Sequence, residues 1–239
     1  MEEVGSVARD QSVKVSIDGE ARTRMEKSRA VVDQAIDRHE VIYGLTTGFG
    51  YFKNVTIDES RTEELQRNLI MSHAVGVGAP LSEEEVRAMM LVRANSLVKG
   101  YSGIRLIIVE TLIDLLNKGV YPYVPQKGSL GASGDLAPLA HRSLVLMGEG
   151  EAFIEGRRVP GKEALAHAGI APVTFLAKEG LAITNGTAMM AGVGCLNVFR
   201  AKQLVKIADI AAALSVEALL GSMVPVGGED HRIGSHEGQ

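Results

Sequence analysis

The sequence predicts a mainly α-helical protein, and three features support this fold class. Apolar residues recur at helical spacing in several segments between Glu20 and Leu112. Strand-like alternation is confined to Glu151–Val159 and predicts one small β-hairpin that turns at Glu155-Gly156. Asn185–Leu220 is a single long, Ala-rich helical pattern, which is typical of a bundle helix that needs partners. We therefore expect a mixed N-terminal region with loops and a hairpin, followed by the first long helix of a bundle.

The N-terminal quarter contains two predicted helices separated by a loop. Residues 1–19 carry little periodic signal, so we expect them to be partly frayed. Glu20–His39 has apolar residues at helical spacing and predicts the first helix. The glycine-rich Tyr43–Gly50 segment predicts a loop, and Arg61–Val75 predicts the second helix.

Cap signals place the starts of the next helices. Ser82 is followed three residues later by Glu85, which predicts a capping box at the start of the third helix. Ser102 is expected to cap the fourth helix, and Asp135 the short helix after it. The two prolines of Val120–Pro125 predict an extended segment between these helices.

Composition and charge exclude several classes of function. The net charge of −4 is mild, and no basic stretch suggests a nucleic acid partner. Cys195 is the only cysteine, so an intrachain disulfide is excluded and a reducing cytoplasm is the expected location. The histidines lack the close spacing of metal ligands, and no complete dinucleotide or phosphate-loop motif is present, so no metal or nucleotide is expected.

The charge-free segment Gly180–Phe199 is long enough to cross a bilayer. Thr184, Asn185 and Thr187 interrupt it, and the helical pattern continues into charged turns beyond it. A helix buried in a bundle explains the segment better, so no membrane partner is expected.

Ala132-Ser133-Gly134 combines residue types that allow an unusual backbone reaction. In a tight loop the Gly134 amide nitrogen can attack the Ala132 carbonyl carbon, because glycine lacks a Cβ and permits the close approach. Loss of two waters then leaves an imidazolone ring, on which the Ser133 side chain becomes an electrophilic methylidene. The alternative is a plain loop, since chance produces this tripeptide in about one such chain in ten.

Four motifs follow one another in an order that is typical of one family. They are Tyr43–Gly50, Ser72–Gly78, Gln126–His141 and Lys178–Thr187. Together they strongly resemble the histidine and phenylalanine ammonia-lyases and the related aminomutases, over nearly the whole chain. The resemblance implies a 4-methylidene-imidazol-5-one cofactor formed from the tripeptide, with no metal or nucleotide. It also implies a fumarase/aspartase-like helical bundle and a homo-oligomer, a tetramer in the family.

The resemblance assigns chemical roles to Tyr43 and Asn185. The tyrosine of this motif removes the substrate's β-hydrogen, which requires a shifted environment because tyrosine ordinarily has a pKa of about 10. The structural alternative is a tyrosine that anchors its loop. The asparagine of this motif contacts the substrate amine and the cofactor ring. The position of Asn185 before Gly186-Thr187 also predicts a helix N-cap, and capping is compatible with contact to the substrate and the cofactor.

The pair Ser72-His73 bears on the choice of substrate. Histidine-specific members of the family carry Ser-His here, whereas members specific for phenylalanine or tyrosine carry other pairs. A neutral imidazole can donate or accept a hydrogen bond to a substrate imidazole. The alternative is a core histidine, since His73 lies on the apolar stripe of its predicted helix.

The expected function is non-oxidative elimination of ammonia from L-histidine, which gives urocanate. One alternative keeps the cofactor but uses phenylalanine or tyrosine, or re-adds ammonia at the β-carbon as an aminomutase does. Another alternative is an inactive, truncated chain that serves only as a folding or assembly unit.

The resemblance implies that this chain is short for its family. Family members continue beyond a His-Pro-Gly-Gln segment, which appears here as His236–Gln239 with Glu237 in place of proline. We expect residues 1–184 to form the active-site region with the cofactor loop. Residues 185–239 are expected to begin the central bundle, and the isolated chain is expected to be inactive or weakly active.

Overall fold

The computed structural model describes residues 1–48 and 61–233, and this part of the chain is mainly helical. Its helices are α1 (Glu2–Arg9), α2 (Gly19–Asp37), α3 (Thr62–His73), α4 (Glu83–Leu97), α5 (Leu106–Asn117), α6 (Leu136–Leu146), α7 (Gly161–His167), α8 (Glu179–Thr184), α9 (Ala188–Ala218) and α10 (Gly228–His231). Its strands are β1 (Val77–Pro80), β2 (Tyr121–Pro122), β3 (Pro125–Lys127), β4 (Glu151–Ile154) and β5 (Arg157–Pro160). The predicted mainly α fold is confirmed.

The start of α4 is the predicted capping box. The Ser82 hydroxyl accepts the amide hydrogen of Glu85 at 3.3 Å, and the Ser82 amide donates to the Glu85 carboxylate at 2.8 Å. Each residue therefore satisfies one amide that would otherwise lack a partner at the helix end.

The predicted cap at Ser102 is wrong. Helix α5 begins at Leu106, with Arg105 in the N-cap position. Gly103 has a φ of +67°, which interrupts any helix that would start at Ser102. The Arg105 amide donates instead to the buried carboxylate of Glu179 at 3.0 Å, so a distant residue performs the capping.

The expectation that residues 1–19 are frayed is also wrong for their first half. Helix α1 buries Val7 and Ala8. The guanidinium of buried Arg87, on α4, donates to the carbonyl oxygens of Val7 at 2.7 Å and Ala8 at 3.2 Å. Because the partner lies on another helix, periodicity within this short segment gives no sign of it.

Two small antiparallel sheets accompany the helices. Strands β4 and β5 form the predicted hairpin, with Ile154 paired to Arg157 across the turn. Glu155 and Gly156 have φ values of 50° and 74°, which suit a tight hairpin turn. Strand β2 extends this sheet beside β4, while β1 pairs with β3. The predicted extended segment Val120–Pro125 thus supplies one strand and the start of another.

The main core surrounds α5, where Ile108, Leu112 and Leu115 are completely buried. Side chains of α4, α6, α7 and α8 belong to the same cluster. This packing fixes α6 and α8, the two helices that carry the loops described below.

The chain divides into two compact units, Met1–Leu196 and Asn197–Gln239. In the second unit, α9 exposes a series of large apolar side chains: Leu204, Val205, Ile207, Ile210 and Leu214. Among the described residues, no helix combines the length and apolarity needed to cross a membrane.

Candidate active site

The Ala132–Gly134 segment forms a tight turn between Gly131 and Gly134, which pair as an antiparallel bridge. Ser133 has a φ of 58°, in the left-handed region that residues with a side chain rarely occupy. Gly131 and Gly134 also have positive φ values, 81° and 96°. Ala132 and Ser133 are exposed whereas Gly134 is buried, so the Ser133 side chain stands at the surface of a strained, anchored turn.

Gly186 anchors this turn from the opposite side. Gly134 and Gly186 pair as a parallel bridge, and the Asp135 amide donates to the Gly186 carbonyl oxygen at 2.7 Å. A Cβ atom built on Gly134 would overlap that carbonyl group. Position 134 therefore requires glycine both for its φ and for the approach of the second segment.

Asp135 takes the N-cap position of α6 as predicted, but its side chain does not cap that helix. One carboxylate oxygen accepts the Ser129 hydroxyl hydrogen at 3.0 Å, and the other accepts the Met190 amide hydrogen at 2.9 Å. Asp135 is completely buried, so these bonds provide the polar contacts that a buried carboxylate needs. Asp135, which directly follows Gly134, therefore connects the tripeptide turn to the first turn of α9 through the Met190 amide.

Asn185 lies beside the same turn but does not begin a helix, so its predicted N-cap role is wrong. It is the C-cap of α8, and α9 begins three residues later at Ala188. The extended backbone of Asn185, with ψ of 104°, turns the chain from α8 toward Gly186. The Asn185 side chain is exposed, next to the residue that contacts Gly134 and Asp135.

Ser72 and His73 close helix α3. The Nδ1 of His73 lies 2.8 Å from the Leu69 carbonyl oxygen, which accepts the Ser72 hydroxyl at the same distance. The Ser72 hydroxyl oxygen also lies 3.1 Å from this nitrogen. In the tautomer whose Nδ1 carries the hydrogen and donates to Leu69, the Nε2 of His73 has the lone pair. The side chain is half-buried rather than a core residue.

Gly76, three residues after His73, contacts residues on both sides of the tripeptide in the sequence, Gly128 before it and His141 after it. The Gly76 amide donates to Nε2 of His141, on α6, at 2.9 Å. A Cβ atom on Gly128 would lie 2.9 Å from the Gly76 Cα atom, so the two backbones are in close contact. Burial lowers the pKa of His141, which suits its role as a neutral acceptor.

Tyr43 lies in a turn and is 58 % exposed. Threonines of the same loop hold its backbone. Thr47 accepts the Gly44 amide at 3.2 Å, and Thr46 accepts the Ile42 amide at 2.9 Å. Gly44 has a φ of 70°, as the predicted loop requires. The end of the motif, Phe49-Gly50, lies outside the described residues.

Two buried arginines near this site were missed by the sequence analysis. Arg93, on α4, donates to the carbonyl oxygens of Ala182 and Asn185, the latter at 2.9 Å. Arg142, on α6, donates to the Ile183 carbonyl oxygen at 2.8 Å. In the sequence, each of the two appears only as an arginine within an otherwise apolar face of a helix. This pattern does not show which groups the arginine will bind.

Burial determines the electrostatics of this arginine pair. It lowers the pKa of Arg93 to about 10, so the guanidinium remains charged at neutral pH. Burial and the charge of Arg93 also lower the pKa of Arg142. Within the described residues, no carboxylate forms an ion pair with either arginine, and no group of three potential metal ligands occurs.

The chain is similar to a known family and to curated proteins over its whole length. Residues 1–239 match the family model described as aromatic amino acid lyase. Curated histidine ammonia-lyases are similar to the chain, with 52 % identity over 239 residues in Alkaliphilus metalliredigens and 54 % over 225 residues in Alkaliphilus oremlandii. These alignments cover 100 % and 94 % of this chain but 47 % and 44 % of the relatives. The chain therefore spans less than half of their length.

Solved structures share the fold. Pantoea agglomerans phenylalanine aminomutase matches with a TM-score of 0.92 and 38 % identity, over 99 % of this chain and 45 % of the other. Histidine ammonia-lyase from Trypanosoma cruzi matches with a TM-score of 0.92 and 36 % identity, over 99 % of this chain and 46 % of the other.

Proposed function

This chain belongs to the aromatic amino acid lyase family, and from that premise we propose that the protein eliminates ammonia from L-histidine to give urocanate. The strained turn at Ser133, packed against Gly186, is the observation that carries the proposal. Such a turn is the backbone arrangement from which a methylidene-imidazolone can form. The similarity to curated histidine ammonia-lyases supports the choice of substrate.

The residues of the turn fit this cofactor. Gly134 leaves no room for a Cβ, Ser133 already occupies a left-handed conformation, and its hydroxyl stands on an exposed residue. The cofactor supplies an electrophile that makes the substrate's ammonia a better leaving group. The protein's own side chains perform the remaining tasks.

Tyr43, Asn185 and His73 have separate roles in the proposed reaction. Tyr43 removes the β-proton, since this largely exposed residue lies on a glycine-containing loop that can approach a substrate. The exposed amide of Asn185 binds the substrate amine beside the turn. The Nε2 lone pair of His73 accepts the N–H of the substrate imidazole.

A second candidate function keeps the turn but changes the substrate or the product. Solved aminomutases, among them a tyrosine aminomutase from Streptomyces globisporus at 42 % identity, match this fold as well as histidine ammonia-lyase does. The protein would then act on phenylalanine or tyrosine, or return ammonia to the β-carbon. We favour histidine because the curated relatives with 52 % and 54 % identity are histidine ammonia-lyases.

Intact-mass spectrometry and turnover assays test the proposal together. The purified protein should be lighter than its sequence by two waters, and peptide mapping should place the loss at Ala132–Gly134. Ser133→Ala should abolish the loss, whereas Ser82→Ala, at the cap of α4, should retain it. The protein translated from the complete coding sequence should release urocanate from histidine. An unmodified mass, or turnover of tyrosine but not histidine, would contradict the proposal.

A further inference from the structure

Helix α8 is short, and charged side chains hold both of its ends. At its start, buried Glu179 accepts the Leu176 amide at 2.7 Å and the Arg105 guanidinium at 2.7 Å. At its end, Arg93 and Arg142 bind the last carbonyl groups. A helix of six residues has little stability of its own, so these contacts determine where its C-terminal end lies.

Arg93 is the member of this set that contacts Gly186, the residue packed against the tripeptide turn. Its Nη2 donates to the carbonyl oxygens of Ala182 and Asn185, and a Cβ atom on Gly186 would overlap its Nη1. The guanidinium therefore lies directly against the Gly186 backbone. Among the described residues its buried Nε has no hydrogen-bond partner, and a buried charge without a carboxylate is costly to retain. Arg93 therefore stabilises the end of α8 at a cost in desolvation.

Gly186 lies between Arg93 and the tripeptide turn. One side of its backbone contacts the guanidinium. On the other side, its carbonyl oxygen accepts the Asp135 amide at 2.7 Å, and its backbone pairs with Gly134. A change in the position of Arg93 is thus transmitted to Gly134 through a single residue that has no side chain.

We propose that Arg93 is a positioning residue for cofactor formation: it holds Asn185-Gly186 against the turn, so that Gly134 stays in the conformation that cyclises. This inference rests on the proposed function. In the step that it assists, the Gly134 nitrogen bonds to the Ala132 carbonyl carbon. The carbonyl oxygen leaves as water with the amide hydrogens of Ser133 and Gly134. The Ser133 hydroxyl then leaves as the second water with the Ser133 Cα hydrogen, so no oxidant is needed.

Substitutions of Arg93 and of Gly186 provide the test. Arg93→Met removes the charge and both bonds, Arg93→Lys keeps the charge but not the planar fork, and Gly186→Ala displaces the guanidinium. Arg87→Met is the matched control, because Arg87 is also buried on α4 and bonds only to main-chain carbonyls, those of α1 and α5 among them. Circular dichroism and urea unfolding establish which variants fold.

Two readouts separate a positioning role from a general loss of stability. The first is hydrogen exchange of the Asp135 amide in a Ser133→Ala background, where no cofactor can form. The second is the rate at which newly folded protein loses two waters. Arg93→Met and Gly186→Ala should each accelerate the exchange and slow the water loss by about tenfold or more, with Arg93→Lys intermediate. Arg87→Met should leave both rates within about twofold of the parent protein, which is the scatter expected of distant sites.

Each outcome decides a separate question. A folded Arg93→Met protein with parental Asp135 exchange and parental water loss overturns the role of Arg93. If Arg93→Met does not fold, Arg93→Lys and Gly186→Ala carry the same comparison. If the parent protein keeps its full mass, the proposed function fails, while the exchange experiment still shows whether Arg93 fixes the turn.

Discussion

The carboxylate of Asp135 accepts the amide hydrogen of Met190 at 2.9 Å across 55 residues of sequence. The residue at the start of α6 thus caps the first turn of α9. In the same place, the Asp135 amide donates to the Gly186 carbonyl oxygen. This one residue therefore connects the tripeptide turn, the end of α8 and the start of the long helix.

Asp135→Ala should lower the free energy of unfolding by about 1–3 kcal/mol, because it leaves the Met190 amide and the Ser129 hydroxyl without their acceptor. Ser82→Ala, which removes a local cap on α4, should cost about 1 kcal/mol and gives the comparison. Urea unfolding followed by circular dichroism measures both. A parental midpoint for Asp135→Ala would show that the long-range cap contributes nothing.

Gly192→Ala and Gly194→Ala should have opposite effects on stability, although both lie within α9. A Cβ atom at position 192 would lie 2.9 Å from the Met89 amide nitrogen, so the packing against α4 must shift. Nothing lies within 4 Å at position 194, where alanine should add about 1 kcal/mol through its helix propensity. Thermal unfolding compares the two, and equal shifts would contradict the observed packing of α9 on α4.

Stability should fall with acidification through His141. Burial lowers its pKa in the folded state, and the Gly76 amide donates to its Nε2. The unfolded chain therefore binds a proton more readily. The contribution is complete above the ordinary pKa of about 6.5 and is lost as pH falls through the lowered value.

Urea unfolding across this pH range tests the role of His141. His141→Gln keeps an acceptor for Gly76 but does not titrate, so the pH dependence of stability should decrease in this variant. His167→Gln, at an exposed histidine on α7, should keep the parental dependence. An unchanged slope in His141→Gln would remove His141 as the cause.

His73 should govern the binding of histidine through an acceptor nitrogen. In a protein with measurable turnover, His73→Leu should raise the KM for histidine by about tenfold, the scale of one lost hydrogen bond. His73→Gln should lose less, because its amide oxygen can accept in place of Nε2. Steady-state urocanate formation measures the effect, with His167→Leu as the control. Unchanged kinetics in His73→Leu would reduce the residue to a structural role.

The isolated 239-residue chain should self-associate through α9. Leu204, Ile207, Ile210 and Leu214 are each at least 60 % exposed, and such a stripe of apolar surface marks an interaction site. Replacing Ile207 and Ile210 with lysine should shift the protein toward the monomer in light scattering, whereas Ala212→Lys, on the other side of α9, should have a smaller effect. A monomeric parent chain at high concentration would contradict this prediction.

The sequence predicted those elements whose signals are local. The capping box at Ser82 and the hairpin turn at Glu155-Gly156 involve residues only a few positions apart, and both occur as expected. The predicted long helical pattern is present as α9. In each case the backbone preference and the partner lie within the same short stretch of sequence.

Other features depend on partners that are distant in sequence. Helix α1 is held by Arg87, the start of α5 by Glu179, and the side chain of Asp135 by Met190. Arg93 was missed for the same reason, since its acceptors lie about 90 residues away. A side chain that can cap its own helix looks the same in sequence as one that caps another.

The contact between Gly134 and Gly186 links the chemical state of the turn to the folding of the molecule. It joins the segments at the start of α6 and the end of α8, so the turn has its final shape only when these two helices have docked. If cyclisation requires that shape, the two missing waters are a permanent mark that a molecule has once been native. A mass spectrum taken even after denaturation would then count the molecules that had folded correctly.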